Sequence, residues 1–406
     1  MPFVLRKIKS YKKVKTMRTY GTQATGIRTP IIYEGDNLPK VVVDSLLKYR
    51  DETNTKIEDF DIIGITEAIV ARAQGNYATV EQISADVKEK VGTSEVGIVF
   101  PILSRNRFSI LLKGIAAAFD KVYIQLSYPS DEVGNHIISP EDMHKQGVNP
   151  YSEVFCEEEF RGRFGEVKHH FTSVDYMEFY RELAPGAEII LANDPCEILK
   201  HTKTVIAADI HTRELTKKRL LAGGAQAVFG LDDFLTSSVN GSGYSEDHGL
   251  LGSNKSTDDK VKLFPRDCDA FVTEVQRLMF EKTGAKVEVL VYGDGAFKDP
   301  VGKIWELADP VVSPSFTAGL KGLPNEIKLK YIADNEFADM RGDQAREAII
   351  EKIKNKSEDV CKTESQGTTP RQLTDLIGSL CDLVSGSGDK GTPVVYIKGY
   401  FDNYAS

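Results

Sequence analysis

Cysteine is scarce in this chain, and its spacing excludes some common ways of stabilising a fold. Only five of the 406 residues are cysteine, they are widely scattered, and no two of them form a CxxC pair. This spacing argues against a disulfide framework and against a structural zinc site. We therefore expect reduced thiols and a cytoplasmic location.

Long apolar runs and an excess of basic charge are missing as well. No run approaches the roughly 18 apolar residues of a membrane-spanning helix, and no signal-peptide-like apolar segment follows the basic start of the chain. The formal net charge of -9 argues against general nucleic-acid binding, which needs a basic face. Seven Lys or Arg and no acid occur among residues 1–18, which we interpret as a solvated terminal arm or edge strand. We expect neither a membrane nor a nucleic acid as a partner.

Familiar catalytic motifs are missing too. The sequence contains no HExxH zinc motif and no GxSxG nucleophile elbow, and its seven histidines are dispersed. The glycine-rich stretch at 385–392 lies between a predicted helix and a predicted strand, the reverse of the order in a phosphate-binding loop. By itself it indicates a flexible connection.

What the sequence does contain is clear apolar periodicity, which predicts an α+β fold. Helices are predicted at 41–50, 67–75, 80–91, 269–284, 344–354 and 371–384, and strands at 60–66, 286–294, 326–334 and 393–400. Between 96 and 234 strands and helices alternate, with a β-α-β pattern at 204–230. This alternation indicates a small α/β layer.

Acidic residues occur at the ends of several predicted strands, next to glycines or turns. The candidates are Asp209, Asp294, Asp334 and Glu336. Carboxylates in such places suit Mg²⁺ or Mn²⁺, which prefer oxygen ligands and often bridge nucleotide phosphates. The alternative is a set of ordinary turn and helix-cap carboxylates.

Arginine residues stand at the start of two predicted helices. Arginine in that position suits the recognition of a carboxylate or a phosphate, and the alternative is surface ion pairing in an acidic protein. The catalytic residues stay unknown at this point, and the candidates in this part of the chain are Arg105, Arg107, Asp209, His211 and Arg213.

Several segments, in order, resemble one known family, that of the coenzyme F-420-0:L-glutamate ligases. The matching segments are GIRTPIIYEGDNL at 26–38, TEAIVARAQG at 66–75, GLLGSN and the following helix within 249–284, VEVLVYGDG at 287–295, YIADNEF at 331–337, and the glycine-rich tail with its strand at 382–400. Together they cover about half of the chain. The resemblance also gives the glycine-rich tail a better explanation than a flexible connection.

The resemblance implies GTP and a divalent metal ion, Mg²⁺ or Mn²⁺, as cofactors. It implies GTP contacts from Thr29, Pro30, Ile31, Ile32, Glu67, Arg72 and Asn254, and metal ligands from Asp294, Asp334 and Glu336. One departure matters, because Leu251 stands where the family has a metal-binding aspartate. Asp247, His248 or the segment that the resemblance skips could replace that ligand, or the metal site is lost.

We therefore expect a γ-glutamyl-ligase-like mixed fold interrupted by an inserted α/β subdomain. The expected ligase-like parts are 1–95, 235–338 and 371–406, with an α/β insertion at 96–234 and a helical insertion at 339–370. The expected function is GTP-dependent joining of an amino acid, glutamate first among them, to a small-molecule carboxylate acceptor. Two alternatives stay open: a non-catalytic nucleotide-binding or scaffold protein on the same fold, and a separate enzyme site in the insertion. By the same resemblance we expect a homodimer.

Overall fold

The structure is a computed structural model that describes residues 19–169, 172–294, 311–356, 365, 371–385 and 389–405. The side chains of Asp294, Val311 and Val312 are outside this description, as is the basic segment 1–18.

Helices and strands alternate along most of the described chain. The α-helices are α1 Leu38–Thr53, α2 Glu67–Ala73, α3 Val80–Val91, α4 Phe108–Ala116, α5 Pro140–Lys145, α6 Glu157–Phe164, α7 Tyr176–Leu183, α8 Arg213–Ala222, α9 Cys268–Thr283, α10 Leu329–Asn335, α11 Gly342–Lys354 and α12 Leu373–Val384. The strands are β1 Gln23–Ile27, β2 Ile62–Thr66, β3 Tyr77–Thr79, β4 Glu95–Val99, β5 Lys121–Leu126, β6 Phe155–Cys156, β7 Glu188–Leu191, β8 Thr204–Ala207, β9 Ala227–Gly230, β10 Asn254–Thr257, β11 Lys260–Lys262, β12 Glu288–Asp294, β13 Val311–Phe316 and β14 Val394–Lys398.

A five-stranded mixed sheet joins the two ends of the chain, in the order β1-β14-β2-β12-β13. β2 and β12 are parallel, and the other neighbours are antiparallel. Because successive side chains of a strand point to opposite faces, Ile63 of β2 packs in a core with α1 and α9, whereas Ile62 packs with α12. The sheet therefore lies between two helical layers.

A second sheet has six strands in the order β6-β7-β5-β4-β8-β9, and only its edge strand β6 is antiparallel. Ile98 of β4 lies in the same core as α4, whereas Val99 lies in another core with Leu220 of α8. The helices α4 and α8 thus cover opposite faces. The direction of chain winding reverses between β4 and β8, as in doubly wound α/β sheets.

A small three-stranded sheet, β10-β11-β3, lies beside the six-stranded sheet. Its residues Ala78 and Val261 share a core with Ile98 of β4. Helix α3 approaches α4 so closely that a Cβ added to Gly114 would lie 2.8 Å from the Cγ2 methyl of Ile83. These contacts join the three-stranded sheet and α3 to the core of the six-stranded sheet.

Most of the predicted elements are confirmed, including the helix at 80–91, the β-α-β unit at 204–230 and the mixed α+β character. The predicted strand at 326–334 is wrong, since this segment forms α10. Short apolar runs fit a helix and a strand almost equally well, and here Ile332 is the buried contact of a helical turn.

Two further findings concern the described residues. None of their helices has the length and apolar character needed to cross a membrane. The four described cysteines, Cys156, Cys196, Cys268 and Cys381, are all free thiols.

Candidate functional site

Segments far apart in the sequence meet at one edge of the five-stranded sheet. The parallel strands β2 and β12 end side by side, with Thr66 opposite Tyr292. The strand β14 begins at the same edge, and the backbone N–H of Thr66 donates to the carbonyl of Pro393 at 3.0 Å. β1 also ends there, since Ile27 is opposite Val394. Four of the segments that carry the family resemblance therefore converge.

Glu67, a predicted GTP contact, begins α2 at this edge and is only 3% exposed. Lys262 of β11 donates to both of its carboxylate oxygens, at 2.8 and 3.0 Å. Lys262 is opposite Asn254 in the β10–β11 hairpin, and a Cβ added to Gly293 of β12 would collide with Glu67. Glu67, Asn254 and the end of β12 thus form one cluster, held by a lysine that the sequence analysis missed.

The segment 29–32 lies against the other end of α2. The Arg72 Nε donates to the carbonyl of Ile32 at 2.5 Å, and the backbone N–H of Gly35 donates to Ala73 at 2.8 Å. The Ile31 side chain is 70% exposed, whereas the Ile32 side chain is buried in the core. Of these two apolar side chains, Ile31 is therefore the one that can lie against a base.

Two of the three predicted metal ligands, Asp334 and Glu336, do not lie at a strand end. Asp294 does end β12, but its side chain is outside the described residues. Asp334 and Glu336 lie on and just after α10 and are exposed, and Glu336 pairs with Lys352 at 3.0 Å. Within the described parts of the chain, no three His, Cys, Asp or Glu side chains are grouped closely enough to hold a cation.

The candidates from the second sheet follow its two central strands. Arg105 and Arg107 come after β4, and Asp209, His211 and Arg213 come after β8. Because β4 and β8 are adjacent and parallel, both groups lie at the carboxyl edge of the sheet.

Asp209 is 1% exposed and organises the start of α8. Its Oδ2 accepts hydrogen bonds from the hydroxyls of Thr212 and Thr216, both at 2.7 Å. Its Oδ1 is buried with no hydrogen-bond partner among the described residues. Burial raises the pKa of Asp209, and the two hydroxyl bonds oppose that rise. Its bonds thus indicate a structural role in the loop after β8.

Glu132, in the loop after β5, binds the same loop from the other side. Its carboxylate accepts from the backbone N–H groups of Ile210 and His211, the latter at 3.1 Å. Burial raises the pKa of Glu132 to about 7, and the nearby Asp209 carboxylate adds to the rise. Sequence reasoning missed Glu132 because nothing in its turn, YPSDEVGN, distinguishes it from an ordinary surface acid.

A cavity of about 280 Å³ opens where the two groups of candidates meet. Its walls come from the loops after β4 and β8, the loop at 248–253, and β13. Arg107 and Arg213 line it, whereas Arg105, Asp209 and His211 do not, and neither Asp nor Glu is among its described lining residues. Leu251, at the family's aspartate position, forms part of the wall and packs against the core of the six-stranded sheet.

His248 also lines this cavity, where its ring lies 4.9 Å from that of Phe264. Burial lowers the pKa of His248 and keeps its imidazole neutral at neutral pH, although Asp247 opposes the shift. The structure therefore places an imidazole with a lowered pKa in the cavity wall.

Comparison with known proteins gives one clear assignment. A search of curated proteins yields no match. A family model described as F420-0:gamma-glutamyl ligase matches residues 26–399, nearly the whole chain and both of the regions just described. The chain therefore belongs to the F420-0:gamma-glutamyl ligase family.

Proposed function

We propose that this protein is a GTP-dependent ligase that joins an amino acid, glutamate first among the candidates, to a carboxylate acceptor. The observation that carries the proposal is the cluster of Glu67, Asn254 and the end of β12 at one edge of the five-stranded sheet, with Arg72 against segment 29–32 at the other end of α2. Membership of a ligase family supports the same reaction class.

The charges at this edge suit a nucleotide triphosphate. Arg72 occupies the position where the resemblance implies a phosphate-contacting lysine, and it keeps the positive charge. Glu67 replaces a neutral glutamine of the family, and its negative charge is neutralised by Lys262 at 2.8 Å. The phosphates would therefore meet cationic groups rather than an uncompensated carboxylate.

The reaction would proceed in two balanced steps. One oxygen of the acceptor carboxylate bonds to the γ-phosphorus of GTP, and GDP leaves. The amino nitrogen of the incoming amino acid then bonds to the acyl carbon, phosphate leaves, and the nitrogen gives up a proton. Arg72 would stabilise the negative charge of the transferring phosphoryl group during the first step.

Mg²⁺ or Mn²⁺ remains part of this proposal, with Asp294, Asp334 and Glu336 as the predicted ligands. A bound divalent ion would neutralise phosphate charge. Since Leu251 has no ligating atom and the described carboxylates do not group around one point, no step of the reaction is assigned to a metal here.

The architecture supports a ligase-like core with two insertions, as a proposal on domain organisation. The five-stranded sheet uses residues from 23–27, 62–66, 288–294, 311–316 and 394–398, whereas the strands of the six-stranded sheet all lie within 95–230. β3 at 77–79 pairs with β11 at 260–262 across that interval. We therefore propose 96–234 and 339–370 as insertions, with 1–95, 235–338 and 371–406 as the ligase-like parts. A cytoplasmic homodimer is part of the same proposal.

Calorimetric titration with GTP tests the nucleotide site. Arg72→Ala should weaken GTP binding about tenfold or more, because charge-assisted hydrogen bonds to phosphate contribute roughly 1.5–3 kcal/mol. Arg277→Ala, which removes an exposed arginine paired with Glu274 and Glu281 on α9, is the matched control and should bind as the wild type. Equal affinities for all three proteins would count against the assigned edge.

A second candidate function is a nucleotide-binding protein without catalysis, and Leu251 is the observation that favours it. The replacement removes one expected metal carboxylate from the site. Tight GTP binding that is independent of Mg²⁺ and Mn²⁺, with no GDP formed in the presence of amino acids and carboxylates, would favour this candidate over the ligase.

A further inference from the structure

The cavity of about 280 Å³ lies at the point where the six-stranded sheet reverses its winding. In open α/β sheets, ligands bind in the crevice beyond the carboxyl ends of the strands at this point. Here α4 leaves β4 on one face and α8 leaves β8 on the other, and both helices begin beside the cavity. Their first residues, including Phe108 and Arg213, line it.

The electrostatics of the cavity favour an anion. It is lined by two arginines and by no carboxylate of the described residues. The side chain of Arg213 is 14% exposed, and its Nε lies 3.0 Å from the carboxylate of Asp232, which is outside the cavity lining and compensates part of the guanidinium charge. The N-terminal ends of α4 and α8 add partial positive charge from their backbone N–H groups.

The remaining wall is mostly apolar. Phe108, Leu111, Leu250, Leu251 and Phe264 contribute to it. The volume of about 280 Å³ is close to the lower end of the range for small-molecule pockets, roughly 300–1,000 Å³. It is large enough for a carboxylate joined to an apolar body of about one ring.

The cavity adjoins the edge to which GTP is assigned. The wall segment that contains Leu251 and Ser253 leads directly into Asn254 of β10. Ser313 on the opposite side belongs to β13, which is paired with the end of β12. The cavity wall is thus continuous with β10 and includes the strand that is paired with β12.

We propose that this cavity binds the carboxylate acceptor of the ligase, and that this acceptor is a small molecule with one carboxylate and an apolar body of about one ring. Arg107 and Arg213 bind the carboxylate, and Leu251 contacts the apolar body in place of the family's aspartate. The identification of the ligand as the acceptor rests on the proposed ligase function, whereas the binding chemistry does not.

Binding is tested without GTP, so that the two proposals fail separately. The probes are benzoate, phenylacetate, 3-phenylpropionate and 4-methylpentanoate, each titrated calorimetrically beside its uncharged amide, with inorganic phosphate as a further probe. At least one carboxylate should bind, and its amide should bind about tenfold to a hundredfold more weakly. No binding of any carboxylate, or stronger binding of an amide or of phosphate, would overturn the proposal.

Variants locate the site. Arg107→Gln and Arg213→Lys should each lower the affinity for the carboxylate that binds best by about tenfold or more. Leu251→Asp should abolish binding, because it places a negative charge in the cavity wall. Arg277→Ala should leave it unchanged, and circular dichroism checks that each variant folds. Unchanged affinity in the folded cavity variants would place the ligand elsewhere and overturn the assignment. If binding depends on the arginines but no GTP is turned over, the cavity is still a carboxylate site, and only its assignment as the acceptor site is contradicted.

Discussion

At the residue scale, the pair Glu67 and Lys262 shows how much depends on a partner that sequence patterns do not reveal. The resemblance implied a role for Glu67. The sequence around Lys260 and Lys262 does not indicate which of the two lysines forms an ion pair with it. Only the pairing of β11 with β10 and β3 brings the Lys262 ammonium to the buried carboxylate. Register across distant strands set this contact, and local propensity carries no information on it.

Replacing Lys262 should expose the cost of that buried carboxylate. Lys262→Met is expected to lower the free energy of unfolding by about 3–5 kcal/mol, because removing one member of a buried ion pair leaves the other charge buried and unpaired. The double variant Lys262→Met with Glu67→Gln should regain much of this loss. Urea denaturation measures both, with Lys40→Met in the exposed Lys40–Asp44 pair as the control, where a change under about 1 kcal/mol is expected. An equally small effect at Lys262 would contradict the buried pairing.

Glu132 makes stability depend on pH in a direction that can be calculated. Its pKa is raised from 4.5 to about 7 in the folded protein, so between these values the folded state holds a proton that the unfolded state has lost. The contribution of Glu132 to the free energy of unfolding therefore falls by on the order of 2–3 kcal/mol as the pH rises from about 4.5 to 7. Denaturation at pH 5 and pH 8 should show a smaller loss in Glu132→Gln than in the wild type, while the exposed Glu141→Gln should resemble the wild type. Parallel losses in all three proteins would show that Glu132 does not titrate in this range.

At the element scale, apolar periodicity was sufficient to predict the type of secondary structure wherever a segment was long or had a strong pattern. The 12-residue helix α3 has a capping box, Thr79 with Gln82, at its start and Gly92 at its end, and these local signals are legible in the sequence. The seven-residue α10 has one buried side chain, Ile332, and none of these caps. Its alternating apolar residues led to a wrong strand prediction, because short runs carry no decisive period.

The packing of α12 on β2 offers a direct test at this scale. A Cβ added to Gly64 would come within 2.3 Å of the Cys381 sulfur, so Gly64→Ala should lower the free energy of unfolding by about 1–3 kcal/mol through overpacking. Adding Cys381→Ala removes the sulfur and should recover part of the loss. Thermal and urea unfolding of the single and double variants provide the measurement. Gly162→Ala, where the added methyl meets no atom within 4 Å, is the control and should be neutral or slightly stabilising. Additive losses in the double variant would show that Gly64 and Cys381 do not touch.

At the scale of the whole molecule, the sequence predicted the family and named several residues that meet at the proposed nucleotide edge, but it did not predict the cavity. The matching segments were recognisable because each keeps its local pattern, as in TEAIVARAQG at 66–75. The cavity is lined by residues such as Arg107, Arg213 and Leu251, which are separated in the sequence by 106 and 38 residues. No local pattern links them, and only the adjacency of β4 and β8 with the loop before β10 brings them together.

The central claim is that this fold joins an amine to a carboxylate at the expense of GTP, and formation of GDP tests it most directly. Purified protein is incubated with GTP, Mg²⁺ or Mn²⁺, glutamate and the same small carboxylates, and GDP and the amide product are measured by chromatography and mass spectrometry. We expect GDP and amide in equal amounts, dependent on both glutamate and a carboxylate, lost in Arg72→Ala and retained in Arg277→Ala. GTP binding without GDP formation under every combination would contradict the ligase assignment.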